Sequence, residues 1–467
     1  MPAAINNIME QLPPEYADEL LPTIREEFIK SGKTIVVLDD DPTGTQTSYD
    51  VTVLTQWSVA LLAEELKKKP SVLFILTNTR SVPEQAAIQL TLEIGRYLKA
   101  AVKESGQEIV AISRSDSTLR GHFPAEVDAM AQALDIEKAV WVLLPAFIEG
   151  GRFTIQDVHY IQEQQELIPV ADTPFAKDAV FGYAHSNLKE WVEEKTKGRV
   201  ASSDVISISL EDIRMGGPQA VCQKLTACSP GKICIVNACS YKDLEVFVLG
   251  VLLAEKAGNK FICRTSATFV PIRAGIIPGK IYWPKKEEVV SSQGSLVIVG
   301  SYVPKTTSQL KFLLAQGSHE FIEVNVAKIL HSADSADYVT SINQQTNLWL
   351  AARKDVVVYT SRDLEVGNNA ESNLQINSLV SGFLVKIIKG LRVQPAFLIA
   401  KGGITSSDLA TKGLKAVKAL VLGQVIPGVP VWQMDQNSKF PGIIYVVFPG
   451  NVGDSTALAE VHKRLKM

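Results

Sequence analysis

From residue 34 onward, short runs of β-branched and aliphatic residues alternate with longer stretches in which apolar residues recur every three or four positions. Runs at 34–38, 72–76, 109–112 and 140–144 have the length of buried strands, while 84–103 and 124–134 have the length and period of amphipathic helices. Further strand-like runs at 205–208, 232–236 and 260–263 complete a first series. After a polar stretch at 284–293 the pattern restarts at 295–299 and continues through 321–324, 356–359, 396–399 and 419–421. Such alternation joins parallel strands by right-handed crossovers, with ligands bound where loops leave the carboxyl ends of the strands. The pattern predicts an α/β protein: two α/β domains, each with a largely parallel sheet, forming an interdomain cleft. The expected boundaries are a helical N-terminal extension at 1–33, a first domain at 34–283, a linker at 284–294 and a second domain at 295–467. The extension reads as a helical lead over 14–31, with Leu20, Leu21, Ile24 and Phe28 as its apolar positions, and not as catalytic machinery.

The 467 residues suffice for two ordinary cores, and 46% hydrophobic against 21% charged residues is the balance of a packed globular enzyme. Forty-seven basic and fifty acidic side chains leave a net charge of -3, which provides no general field for nucleic acid or an anionic membrane, so neither is an expected partner. With no leader-like or membrane-spanning apolar run, the expected location is cytoplasmic. Cys222, Cys228, Cys234, Cys239 and Cys263 are odd in number and contain no CxxC pair, so they read as buried free thiols. The GxxxxGK[ST], GxGxxG, HExxH and GxSxG signatures are absent, which disfavours the familiar NTPases, dehydrogenases, zincins and esterases.

The candidate chemistry follows the strands. The first runs into Asp39-Asp40-Asp41-Pro42-Thr43-Gly44, where three consecutive carboxylates repel one another and exceed what a turn requires. Such a cluster can accept bonds from substrate hydroxyls, hold a cation or act as a base. The second strand ends in Thr77-Asn78-Thr79-Arg80-Ser81, and the third in Ser113-Arg114-Ser115-Asp116-Ser117-Thr118-Leu119-Arg120-Gly121-His122. Arginine forks flanking hydroxyls and a carboxylate suit a polyhydroxy acid. The candidate substrate-binding residues are therefore Asp40, Asp41, Arg80, Ser113, Arg114, Ser115, Asp116, Ser117 and Arg120, with Asp116, Asp40 and Asp41 the catalytic candidates. Asp39-x-Asp41-x-Thr43 also fits an aspartyl-nucleophile phosphatase, although the lysine and late acidic pair of that class are not found.

In the second half three glycine-bearing turns follow apolar strands and precede helical patterns: Gly300-Ser301-Tyr302, Lys401-Gly402-Gly403-Ile404-Thr405, and Pro449-Gly450-Asn451-Val452-Gly453. Together they suggest a cradle for nucleotide phosphates, with Ser301, Gly402, Gly403, Ile404, Thr405, Gly450 and Asn451 as the binding candidates. The spacing assigns no metal-ligating set.

In combination these residues resemble the four-carbon acid sugar kinase family over nearly the whole chain after about residue 33. The match rests on Asp40-Asp41-Pro42-Thr43-Gly44, on Asn78 to Ser81, and on Asp116 to Gly121. Weaker matches are Gly151-Arg152-Phe153-Thr154 with His159-Tyr160, Thr173 to Asp178, and Arg264-Thr265-Ser266-Ala267. The resemblance implies an ATP-dependent kinase that phosphorylates a hydroxyl of a tetronate-type acid, with the acid in the first domain and ATP and Mg2+ in the second, a homo-oligomer being left open. Arg80, Arg114 and Arg120 would orient the acid carboxylate, and Asp40 or Asp41 with Asp116 would hold its hydroxyls. The chain departs from the family's usual residues at Thr47, Ile404 and Phe448, where many members carry acidic residues and a lysine. The missing lysine motivates a non-catalytic sensor of sugar acid and nucleotide as the alternative.

Overall fold

The computed structural model describes residues 3–285, 291–331, 335–362 and 370–466. The chain divides into two compact units, Met1–Gly44 with Trp57–Pro278, and Thr45–Gln56 with Gly279–Met467.

The first unit is built on a parallel sheet with the strand order Ile206–Ile208, Ile233–Val236, Val140–Leu144, Phe261–Thr265, Ile109–Arg114, Thr34–Asp39, Val72–Leu76. Thr34–Asp39, Val72–Leu76 and Val140–Leu144 are buried at every position, as strands covered on both faces must be, which is why they read as unbroken apolar runs. The chain lays Val72–Leu76 on one side of Thr34–Asp39 and then Ile109–Arg114 on the other. That reversal of direction, at the carboxyl ends of these strands, is where doubly wound sheets bind ligands.

Helix Glu84–Ser105 buries Ala87, Thr91, Ile94, Leu98 and Ala101 along one stripe and ends at Gly106, whose φ of 70° gives a left-handed cap. A Cβ on Gly95 would stand 2.3 Å from that of Ala133, so this glycine lets the helix Ala125–Ala133 approach closely. An antiparallel meander of Arg152–Ile155, Val158–Glu163 and Glu166–Pro169 was not anticipated, because its strands are short and rich in polar residues. The N-terminal segment is part of this unit: Ala3–Ala4 pairs with the meander, and helix Leu21–Ser31 buries Ile24 and Phe28.

The second unit orders its strands Val51–Leu54, Lys418–Ile426, Val429–Met434, Ile444–Phe448, Phe397–Lys401, Leu296–Val299, Val356–Thr360, Glu320–Val324. The pairings from Ile444–Phe448 to Glu320–Val324 are parallel, and the others antiparallel. The run expected at 419–421 is thus one arm of a long hairpin. Residues 45–56 belong to this unit and not to the first, where the linear boundaries place them. Val51–Leu54 is zipped to Lys418–Val421, and buried Trp432 donates its Nε1–H to Thr45 Oγ1 at 3.0 Å. The second unit also begins before residue 284, since Tyr282 N donates to Gln424 O at 2.8 Å. Of the expected linker, residues 286–290 lie outside the described residues. No described helix is long and apolar enough to cross a membrane.

Candidate functional site

The carboxyl ends of Thr34–Asp39, Val72–Leu76 and Ile109–Arg114 bring three of the predicted loops together. Arg80 sits at their centre. Its Nε is 3.1 Å from Asp40 Oδ2, its Nη2 3.0 Å from Asp41 Oδ2 and its Nη1 3.8 Å from Asp116 Oδ1. Below it Arg114 Nη1 lies 3.1 Å from Asp39 Oδ1 and 3.4 Å from Asp40 Oδ1, and Ser115 Oγ donates to Asp40 Oδ2 at 2.7 Å. Arg120 donates its Nε–H to Asp116 Oδ2 at 2.7 Å, and its Nη1 is 3.6 Å from Asp178 Oδ2. The three arginines differ in reach. The Arg114 side chain is 5% exposed and ties the floor of the site together, whereas Arg80 and Arg120, at 16% and 27%, face its open side.

Two predicted residues stand apart from this side-chain network. Ser113 lies within its strand between Leu38 and Arg264, and Ser117 takes part through its carbonyl. That carbonyl receives the Nε2–H of His159 at 2.8 Å, while His159 Nδ1 faces Thr154 Oγ1 at 2.9 Å. A carbonyl can only accept, so Nε2 carries the proton and Nδ1 accepts from the hydroxyl. Burial pushes His159 down to about 4, consistent with that neutral ring. Tyr183 OH supports the next carbonyl, Thr118 O, at 2.7 Å. The unforeseen meander therefore props the loop that carries Asp116.

The carboxylates differ in proton affinity. Burial pushes Asp116 up, but the charges of Arg120 and Arg80 and a bond from Thr118 outweigh it and hold the group far below the usual carboxylate range. Burial likewise opposes, and Arg80 and Arg114 overcome it, at Asp41, which is also lowered. At Asp39 burial wins over Arg114, and the group rises to about 7. Asp39 is 1% exposed and held by Arg114, which closes off the nucleophile that a phosphatase would need. Glu126, in the first turn of Ala125–Ala133, is also pushed to about 7, by burial and then by the charge of Asp40. The sequence reading missed it, since acidic residues such as Glu126 and Asp128 in a helix's first turn are commonplace. It likewise left Arg264 among the weaker matches, yet Arg264 Nη2 donates to Ser115 Oγ at 3.1 Å and to Arg120 O at 3.0 Å.

The second unit gathers its three glycine turns at the carboxyl ends of Leu296–Val299, Phe397–Lys401 and Ile444–Phe448. Thr306 Oγ1 donates to Gly450 O at 3.0 Å and lies 3.1 Å from Ser301 Oγ, linking the first turn to the third. Gly402, at φ 121°, would place a Cβ 3.0 Å from that of Ser301, and a Cβ on Gly450 would stand 3.0 Å from Ser301 Oγ. Gly402 is thus held to glycine by its backbone conformation, while at Gly450 a side chain would press on the Ser301 hydroxyl. Gly403 continues this turn into helix Gly403–Asp408, in which Thr405 is buried, and Ile404 and Asn451 face solvent. Arg362 Nη2 donates to Ser301 O at 2.6 Å, and its buried Nε and Nη1 have no hydrogen-bond partner among the described residues. Lys401, fully buried, is the cross-strand partner of Phe448. Arg362 and Lys401 thus place two basic side chains beside the three glycine turns.

Residues 35–272 match the sugar-binding N-terminal domain and residues 296–458 the nucleotide-binding C-terminal domain. The chain is 22% identical over 317 residues to a D-erythronate kinase of Heliobacterium modesticaldum, covering 66% of each. It is 31% identical over 166 residues to a D-threonate kinase of Bordetella bronchiseptica, covering 34% of this chain and 38% of that one. The matches thus span just under two thirds, and less than half, of the lengths of these curated relatives. Haemophilus influenzae protein HI1011 shares the fold, with a TM-score of 0.62 at 18% identity over 92% of this chain and 99% of that one. With both domain matches in the same order as the two sites, the chain belongs to the four-carbon acid sugar kinase family.

Proposed function

We propose that the protein is an ATP-dependent kinase that phosphorylates a hydroxyl of a four-carbon sugar acid of the threonate, erythronate or 3-oxo-tetronate type. The observation that carries this reading is the Arg80 guanidinium set among Asp40, Asp41 and Asp116 with Arg120 beside it. Such an array serves a small ligand that offers one carboxylate and adjacent hydroxyls: the arginine forks take the carboxylate and the aspartates accept the hydroxyl protons.

Arg80 and Arg120 orient the acid, Asp41 and Asp116 hold its hydroxyls, and Arg114, Ser113, Ser115 and Ser117 keep the floor and the loop in place. The proton of the attacked hydroxyl goes to Glu126, because Asp116 and Asp41 are held charged by their arginines, whereas Glu126 has a proton affinity suited to neutral pH. In the second unit Ser301, Gly402, Gly403, Ile404, Thr405, Gly450 and Asn451 line the nucleotide, with Arg362 and Lys401 as its cations. ATP would supply the phosphoryl group, and Mg2+ carried on its phosphates would supply charge neutralisation of their oxygens.

Phosphorus NMR of purified protein with ATP, Mg2+ and each tetronate in turn tests the reading. A phosphomonoester resonance that requires both the acid and ATP is expected, and its carbon couplings identify the phosphorylated hydroxyl. Binding of acid and nucleotide without that resonance would make the protein a sensor.

A further inference from the structure

Lys401 ends the strand Phe397–Lys401 and is 0% exposed. Its Nζ donates to Pro449 O at 2.5 Å, lies 3.4 Å from Gly450 O, and stands 3.8 Å from the centre of the Phe448 ring. These partners are dipoles and a π face, and no carboxylate pairs with it among the described residues. Of the charged groups around it, helix Pro304–Ala315 contributes Lys305, a like charge, and Arg362 binds Ser301 O. Asp408 is engaged by Ser381 and Lys412, and Asp454 by Thr456. A buried ammonium without a counter-ion is costly, and a protein normally avoids that cost by pairing the group or by releasing its proton.

We infer that Lys401 couples nucleotide binding in the second unit to the uptake of one proton, becoming the interior counter-charge of the phosphates held by the glycine turns. The inference rests on the reading of those turns as the phosphate site and adds a titrating group to it. Lys401 leads directly into Gly402, and its carbonyl receives both Gly300 N and Ser301 N at 3.2 Å. Its Nζ grips the carbonyls of the 449–450 turn. One residue thus joins all three turns, by its backbone to the first two and by its side chain to the third, so a phosphate arriving on them brings negative charge close to its ammonium. Burial, and then Lys305, push Lys401 down to about 6, so at neutral pH the amine is largely neutral before the anion arrives. The balance is simple. A proton leaves a buffer acid, joins the Nζ lone pair and stays there while the nucleotide is bound, with no covalent bond to the nucleotide.

The test is calorimetric titration of the full chain with magnesium–ADP at pH 7.5, in buffers of low and high ionisation enthalpy. Wild type is expected to take up close to one proton per nucleotide, and its Kd to rise by up to about tenfold per pH unit above neutrality, by linkage. Lys401→Met should abolish the uptake and weaken binding by about 10- to 100-fold, the loss of one charged phosphate contact. Lys401→Arg should keep most of the affinity without the uptake, since arginine stays charged. Should either variant fail to fold by circular dichroism, the wild-type buffer series decides alone. Binding without uptake, or uptake undiminished in a folded Lys401→Met variant, overturns the role of Lys401. Absence of magnesium–ADP binding by wild type overturns instead the reading of the glycine turns.

Discussion

Asp116 accepts the Nε–H of Arg120 at 2.7 Å, a charged contact within one loop that fixes the carboxylate before any ligand arrives. Held charged in this way, Asp116 is an acceptor for hydroxyl donors and a weak destination for a proton. Asp116→Asn should raise the KM for the acid and lower kcat by about two orders of magnitude, the scale of a lost charged hydrogen bond in the transition state. It should leave the shape of the pH profile between pH 5 and 9 unchanged. Steady-state kinetics across pH check this, and a profile whose acidic limb disappears would return the role of base to Asp116.

Glu126 carries the opposite expectation. Its carboxyl is raised to about 7, and the active form is the deprotonated one, so kcat/KM should fall about tenfold per pH unit as pH drops below 7. Glu126→Gln should remove that limb and reduce kcat by about two to four orders of magnitude, the usual contribution of a general base. A variant that keeps both the rate and the limb would exclude Glu126 as proton acceptor.

Gly121 has a φ of 119°, and a Cβ there would stand 2.7 Å from Ser115 Oγ and 3.3 Å from Asp40 Oδ2. Gly121→Ala should destabilise the protein by about 1–3 kcal/mol through backbone strain and displace Ser115 from Asp40. Thermal melting and acid titration should both register the change, while magnesium–ADP affinity stays at the wild-type value.

His159 links pH to stability. The folded ring is neutral, with its proton affinity lowered to about 4 against 6.5 for the free group. The stabilisation is therefore complete above about pH 6.5 and is lost progressively as pH falls toward 4, because the unfolded chain gains a proton that the folded one refuses. The full effect is on the order of 3 kcal/mol, from about 1.4 kcal/mol per pH unit of difference. His159→Gln can still donate to Ser117 O, and its urea-unfolding free energy should depend less steeply on pH within that window. Equal slopes for wild type and variant would contradict this.

The sequence is most legible where residue type and position along a strand coincide. Three adjacent carboxylates after an apolar run, with arginines after the next two runs, have few structural uses, and the fold gathers Asp40, Asp41, Arg80 and Asp116 as that pattern implies. The glycine turns were legible for the same reason. What escaped depends on partners distant in sequence. The pairing of Val51–Leu54 with Lys418–Val421 is a matter of hydrogen-bond register that no local pattern encodes. His159 supports Ser117 from a meander whose strands are too short and polar to stand out. Lys401 lies inside a motif that was read for its glycines, and its importance comes from burial, which composition does not reveal.

The most direct measurement of the central claim is the rate of ADP release by purified protein with ATP and Mg2+, across D- and L-threonate, D- and L-erythronate, the 3-oxo-tetronates and erythritol as the uncharged control. The account predicts release that depends on one or more of the acids, is absent with erythritol, and is reduced at least about tenfold by Arg120→Met, the loss of one charged fork. Release that proceeds equally with erythritol, or that no tetronate elicits while both acid and nucleotide bind, would contradict it.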